Sequence, residues 1–493
     1  MLHSDRQGAA LAIAGGAVVV AGAWLLFDKQ RRASQASVAD EPFLQLINPA
    51  SYRAHNPPWL IEAAAAASSR KYAPLDASSA VPPPVREAVQ RLRDAVANAG
   101  DACGLLGAAA RSSLFMLEKD AVYLNHGSYG AALKVAIQAQ HYFQERLEAQ
   151  PVRFMETEAL QALRQAQLAL AQVVGSHPAD LVFVSNATTA VNAVLRSIQL
   201  GPGDLLLIAT TTYPAVRSAA ARVAQLRGAA LLEVELLDVL DQPAAIIQRY
   251  QAALQAGGGR VRLAVLDHII SQVPSHLPVA ALCALCREHG AASLVDGAHA
   301  VGALPLRIPE LGCDYYTSNA HKWLCSGKGV AFLWAAQERQ AGLLPLVTSH
   351  GHGLGFQGEF LWPGTSDMTA AMALPTAIAV MQALEPAATQ YRRQLLRAAV
   401  ALLSVAWGTQ GVLGVQAKEA TMCSVEMPPL SGRPPSAQLA GQVHAALRQR
   451  YRIEVPVACV RGRLWCRVSA QVYNELGEYQ QLADAVKALA AEA

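Results

Sequence analysis

An apolar run that ends in an acid, Leu294-Val-Asp296-Gly-Ala-His299, is followed about twenty residues later by Asn319-Ala-His321-Lys322-Trp323. A lysine amine can form a Schiff base with an aldehyde, and a buried carboxylate can keep a ring nitrogen protonated. Pyridoxal phosphate requires both, with further donors for its phosphate and its phenolic oxygen. Lys322 and Asp296 supply the first two, and His299, three residues beyond the acid, can reach the phenolic oxygen. Each of these side chains alone reads as a cap or a satisfied core group. Their order along the chain gives them a shared chemical purpose.

Two more stretches fit the same cofactor. Ser185-Asn-Ala-Thr188-Thr189-Ala190 follows an apolar run and opens a helical pattern that continues to residue 198. Free N–H groups and the dipole at a helix start attract a dianion, and Thr188 adds a hydroxyl. Without the lysine segment, this would read as an ordinary cap. Thr210-Thr-Thr-Tyr213-Pro214 ends the next apolar run, so Tyr213 is the candidate to stack on the pyridine face.

These residues need strands to position them. Residues 181–184, 204–209, 230–234, 263–266, 292–295, 315–317 and 329–334 read as buried strands, several separated by amphipathic helices. The alternation predicts an α/β fold, its mainly parallel sheet covered by helices on both faces, with ligands at the carboxyl ends of the strands. From about residue 385, Ala-rich helical patterns alternate with strand-like runs at 422–427 and 464–468. This predicts a smaller α+β C-terminal domain.

The N-terminus differs in kind. Residues 9–27 form an uncharged apolar run, which at ~1.5 Å per residue nearly spans a hydrocarbon core of ~30 Å. Lys29, Arg31 and Arg32 follow it, and such charge stays on the cytoplasmic side, which leaves the body of the protein in the cytosol. Competing readings are a cleaved secretory signal and a chloroplast or mitochondrial presequence. The expected organisation is an anchor or targeting segment at 1–32, an Ala/Pro/Ser-rich linker at 33–110, a large domain at 111–384 and a small domain at 385–493. Within the linker, Val85, Val89, Leu92 and Val96 recur at helical spacing and predict one helix packed on the main domain.

Bulk properties narrow the function classes. A chain of 493 residues exceeds one core, its charge of +3 is nearly balanced, and no basic run interleaved with aromatics points to nucleic acid. Eight cysteines in such a length form no disulfide-dense pattern, which suits a reducing compartment. Cys283 and Cys286 form a C-x-x-C inside a helical pattern with no second pair, so they read as core rather than as a metal site.

From about residue 111 onward the chain resembles the class V, fold type I pyridoxal-phosphate enzymes, and among them the isopenicillin N epimerase-like branch that includes plant cysteine desulfhydrases. The matching pieces are Tyr123-Leu-Asn125-His126-Gly-Ser128-Tyr129-Gly130, Asn186-Ala-Thr188-Thr189, Val295-Asp296-Gly-Ala-His299, His321-Lys322-Trp323, Ser349-His350-Gly351, Trp362-Pro-Gly364-Thr365 and Cys466-Arg467-Val-Ser-Ala-Gln-Val-Tyr473-Asn474. The resemblance implies Lys322 as the Schiff-base lysine, Asp296 at the pyridine nitrogen and His299 at the phenolic oxygen. It places Asn319, His321 and Thr188 at the phosphate, and it implies a homodimer in which Thr365 reaches the phosphate held by the other subunit. Arg467 resembles the arginine that grips the substrate carboxylate, with Asn125 and His126 as substrate neighbours. The chain departs from the pattern at Ser271-Gln272-Val273-Pro274 and at His352, positions expected to shape substrate choice.

Once a site of this kind removes an α proton, three outcomes compete: loss of a β substituent, return of the proton on the other face, and transfer of the amino group. Epimerisation needs a second acid on the opposite face, and no residue stands out for it. Desulfuration needs a nucleophilic cysteine on a mobile loop before the arginine, and the stretch from Cys459 to Arg467 is too short for one. The expectation is therefore a C–S lyase acting on L-cysteine or a related amino acid, giving sulfide, pyruvate and ammonia. The alternatives are an amino-acid epimerase and a membrane-tethered, non-catalytic binding protein.

Overall fold

The computed structural model describes residues 56–98, 102–414, 420–430 and 432–492. The apolar run at 9–27 and its basic flank lie outside the described residues. Among those described, no single helix is long and apolar enough to cross a membrane.

After a short strand β1 (Val122–Tyr123) come β2 (Leu181–Val184), β3 (Leu205–Ala209), β4 (Ala230–Val234), β5 (Val261–Asp267), β6 (Ala292–Asp296), β7 (Tyr315–Asn319) and β8 (Ala331–Ala335). Strands β2 to β8 form one sheet in the order β2-β8-β7-β6-β5-β3-β4. Strands β3 to β7 are parallel, and β8 runs antiparallel to both of its neighbours. Because side chains alternate between faces, each apolar run feeds two cores. Leu206, Ile208, Leu263 and Val265 join Val191, Val194 and Val216 on one side. Leu207, Ala209, Ala264 and Leu266 join a second core containing Ile246, Leu282 and Ile378. The chain steps from β3 out to the edge strand β4 and returns to β5, so the crevice that such sheets use for ligands opens at the carboxyl ends of β3 and β5.

Three strands run further than their apolar residues foretell. β5, β6 and β7 end in Asp267, Asp296 and Asn319, so the ladder carries polar groups to the crevice.

A separate C-terminal core forms around β9 (Val412–Leu413), β10 (Met422–Glu426), β11 (Ile453–Glu454), β12 (Val457–Val460) and β13 (Arg463–Ser469). Four of these make an antiparallel sheet in the order β12-β13-β10-β9, and Leu403, Leu447 and Leu482 of three C-terminal helices pack in the same core. β11 instead pairs in parallel with β1, so Val122 and Leu124 belong to this core although they lie far from it in sequence.

The expected linker at 33–110 is corrected where it is described. Pro58–Ser68 and Pro83–Asn98 are helices, and Leu60, Val85 and Val89 are buried. Prolines at 58 and 83 start these helices rather than break them, because the first turn has no use for their missing N–H. Val85 and Val89 pack into the core of the main sheet, as the helical spacing of that segment predicts.

Candidate active site

β5 and β6 deliver two acids side by side. Asp267 and Asp296 are register partners in a parallel pair, so both carboxyls project from one face at the crevice. Asp296 is buried, and its Oδ1 accepts the Ala298 N–H at 3.0 Å. Burial raises its pKa, while the Ala298 N–H and the nearby Lys322 charge pull it back down. Asp267 accepts the Thr212 hydroxyl at 3.4 Å. Burial first, and the Asp296 charge second, hold its carboxyl well above the usual carboxylate range. The two acids therefore divide their states, with Asp296 the one placed to carry charge.

β7 ends at Asn319, and the chain turns into the short helix Ala320–Trp323 that presents Lys322. Two glycines let neighbouring backbone approach this turn. A Cβ on Gly130, at φ +70°, would sit 2.9 Å from the Lys322 Cα, and one on Gly302, at φ +80°, would sit 2.6 Å from the Trp323 carbonyl carbon. The Lys322 Nζ is buried 3.3 Å from His299 Nε2. Burial, reinforced by the Arg467 charge and opposed by Asp296, lowers the amine to about 7. A lysine at that value has a large neutral fraction at physiological pH, the form that is nucleophilic and basic.

His299 is buried, and its Nε2 also lies 3.4 Å from Ser271 Oγ. Burial and the charges of Lys322 and Arg467 keep it well below its ordinary pKa and thus neutral. Its Nδ1 is buried with no hydrogen-bond partner among the described residues, an orphan that a ligand oxygen or hydroxyl can satisfy.

Arg467 on β13 reaches the site from the C-terminal core. Its Nη1 donates to the Ser271 carbonyl at 2.5 Å, and its Nη2 donates to Asn125 Oδ1 at 2.9 Å and Ser128 Oγ at 2.8 Å. All three acceptors are neutral, and no acid among the described residues lies within ion-pair distance. Burial lowers even this guanidinium to about 10. A buried cation without a counter-charge is costly and invites an anion.

Beyond the end of β2, Asn186 caps the helix Ala187–Ser197 by accepting the Thr189 N–H at 2.8 Å. Asn319 Oδ1 accepts the Ala187 N–H at 3.0 Å, which ties the end of β7 to the same helix start. Thr188 is half-buried in that first turn. His321 Nδ1 lies 3.0 Å from the Val330 carbonyl, and burial lowers its ring to about 4. A cavity of about 1440 Å³ opens here past Ser185, Thr189 and Lys328. Lys322, Asp296 and Arg467 do not line it, so the chemistry is located by side-chain geometry rather than by this void.

The structure thus gathers Lys322, Asp296, His299, Arg467 and Asn125, with Asn319 tied to the Thr188 turn. It places His126 differently. His126 is fully buried, its Nδ1 2.8 Å from the Tyr473 hydroxyl and its Nε2 2.9 Å from the Lys322 carbonyl. With both nitrogens engaged and its ring held near pKa 3 by burial, it braces the Lys322 turn rather than contacting substrate. Tyr213 is 44 % exposed at the start of the helix Pro214–Arg227. Thr365 is exposed in the loop after Trp362. Asp267 and Thr212 escaped the sequence reading, although Leu266-Asp267 repeats the apolar-then-acid ending that singles out Asp296.

The remaining cysteines fit structural roles. Cys459 and Cys466 lie on β12 and β13, joined by a tight turn at Arg461 and Gly462, both with positive φ. Among the described residues there is no loop there to carry a nucleophilic thiol. Cys283 and Cys286 are buried, their thiols pushed up to about 11 and about 12 by burial.

The aminotransferase class-V family model matches residues 122–482. The chain belongs to the class V aminotransferase family. This class V protein is 33 % identical over 400 residues to an isopenicillin N epimerase of Streptomyces clavuligerus, covering 76 % of this chain and 97 % of that one. It is 28 % identical over 402 residues to an L-cysteine desulfhydrase of Arabidopsis thaliana, covering 74 % and 87 %. Its fold matches a C-DES mutant carrying glycine covalently linked to the pyridoxal-phosphate cofactor, with a TM-score of 0.65, 22 % identity and coverage of 76 % and 98 %. The class V chain is a pyridoxal 5'-phosphate enzyme with the fold type I architecture. Its residues suit that cofactor: a buried amine near neutrality, a buried carboxyl one strand away and an imidazole that meets the amine through Nε2 and leaves Nδ1 orphaned.

Proposed function

We propose that this enzyme is a C–S lyase that acts on L-cysteine or a related amino acid by β elimination. The observation that carries this reading is the pairing of a near-neutral Lys322 amine with a buried Arg467 that lacks a counter-charge. One takes a proton and the other takes a carboxylate, the two demands of an α-amino acid.

Lys322 would hold the cofactor aldehyde, Asp296 its ring N–H and His299 its phenolic oxygen. Thr188, Asn319 and His321 would surround the phosphate, with Tyr213 at the rim. Bound pyridoxal phosphate supplies an electron sink for charge at the substrate α-carbon. Arg467 binds the substrate carboxylate bidentately and so fixes which bond faces Lys322. The Lys322 amine takes the α proton, the Cβ–S bond breaks, and sulfide leaves with the bonding electrons. Addition of water then releases pyruvate and ammonia, so cysteine and water balance against sulfide, pyruvate and ammonia. Elimination needs no acid on the opposite face, and Cys459 in its hairpin offers no mobile thiol for desulfuration.

The protein would work as a homodimer, with Thr365 of one protomer completing the phosphate site of the other. Residues 9–27 would tether it to a membrane, with its body on the cytosolic side. The test is pyruvate and sulfide release from L-cysteine by protein lacking residues 1–32. Both products should appear and both should vanish in Lys322→Ala. Cofactor binding without either product, together with racemisation of an amino acid, would replace the lyase reading with the epimerase one.

A further inference from the structure

Arg467 does not stand alone. Its Nη2 donates to Asn125 Oδ1 at 2.9 Å, and the same oxygen accepts the Ser128 hydroxyl at 2.6 Å. The other end of the Asn125 amide donates from Nδ2 to Glu454 Oε1 at 3.0 Å. His444 Nε2 lies 3.1 Å from that same carboxylate oxygen, at the surface. A chain of bonds therefore runs from a part-exposed acid, through a buried amide, to a buried guanidinium.

The chemistry of the amide makes this chain directional. A carboxylate only accepts and a guanidinium only donates, so the amide NH₂ must face Glu454 and its oxygen must face Arg467. The flipped amide would set NH₂ against guanidinium and oxygen against carboxylate, losing both bonds. Glu454 thereby decides which face Asn125 shows to Arg467. Its backbone is held as firmly: it pairs with Tyr123 in the β1–β11 ladder, and its carbonyl accepts the Leu124 N–H at 3.0 Å.

We propose that Glu454, acting through Asn125, is the positioning residue that aims Arg467 at the substrate carboxylate, and so sets the preference of the site for α-carboxylated amines. This rests on the reading of Arg467 given above. Glu454 is near enough to orient the guanidinium and, one amide removed, leaves its charge free for substrate. An acid in direct contact would have quenched it.

The experiment compares binding of glycine and of methylamine, which is glycine without its carboxylate, to the holoenzyme, followed by the absorbance change of the bound cofactor. Glu454→Leu should weaken glycine binding about tenfold, the loss of one charge-assisted bond, and leave methylamine unchanged. Glu454→Gln keeps an acceptor oxygen and should retain most of the glycine affinity. Asn125→Leu cuts the same link at its other end and should reproduce the loss for glycine alone, which covers the case of a Glu454→Leu protein that fails to fold. If Arg467→Gln selectively weakens glycine while neither Glu454→Leu nor Asn125→Leu does so, Arg467 grips carboxylate unaided and the proposal is wrong. If Arg467→Gln weakens both amines equally, the carboxylate reading itself falls and the proposal falls with it.

Discussion

Lys322 gives a prediction that can be worked through. Its amine falls from an ordinary 10.5 to about 7 in the folded protein, chiefly because burial penalises the charged form. Below pH 10.5 the unfolded chain binds a proton that the native site holds weakly, so protonation favours unfolding, and stability rises with pH up to the unfolded value. The linkage relation puts the cost near ~4 kcal/mol at pH 7 and ~2 kcal/mol at pH 9. Lys322→Met has similar length and no charge, so it removes this cost at every pH. In the cofactor-free state, Lys322→Met should be more stable than the parent, and its advantage should shrink by ~2 kcal/mol from pH 7 to pH 9. The assay is urea unfolding of both proteins at the two pH values, with the cofactor stripped and each difference taken at one pH. A stability difference that stays constant between pH 7 and pH 9 would mean that Lys322 keeps the same proton in both states. The near-neutral amine, and the proton-acceptor role built on it, would then be refuted.

Other perturbations test other parts of the site. Gly130→Ala places a Cβ at φ +70° and ψ 167° against the Lys322 turn. It should cost about 1–3 kcal/mol from backbone strain alone and shed cofactor on gel filtration, and a variant that melts and binds like the parent would remove the clamp from the account. Asp296→Asn should leave the circular dichroism spectrum intact and lower kcat on the order of a hundredfold or more, whereas an unchanged kcat would deny this acid its place at the ring nitrogen. His126→Leu strands the Tyr473 hydroxyl and should lower stability by about 1–3 kcal/mol with KM for the amino acid little changed. A raised KM in a protein of undiminished stability would return His126 to the substrate.

The main sheet was legible because buried parallel strands advertise themselves as apolar runs. Their carboxyl ends were not, since Asp267 and Asn319 continue the ladder after the hydrophobicity stops. β5 also starts earlier than its apolar run, because exposed Arg262 interrupts the pattern and pairs with Asp204. The helix Pro58–Ser68 was hidden by composition: its buried residues are Leu60 and two alanines, too small a stripe to show a period, and its prolines read as breakers. In the site, Asp296, His299 and Lys322 could be found because each follows a strand that can be seen. Glu454 could not. It sits on a strand of two residues, and its importance comes from Asn125, a partner 329 positions away. His126 was visible as a motif residue, but nothing in the motif says which way its ring faces.

The pairing of β1 with β11 also orders events in the making of the protein. The strand that leads into Asn125 is among the first pieces of the catalytic body to be synthesised, while its partner strand and Arg467 lie among the last. A growing chain can therefore complete the sheet that carries Lys322, and with it the means to capture a reactive aldehyde, long before it can hold an amino acid by its carboxylate. Competence for the cofactor precedes competence for the substrate, and only a chain translated past Arg467 acquires both.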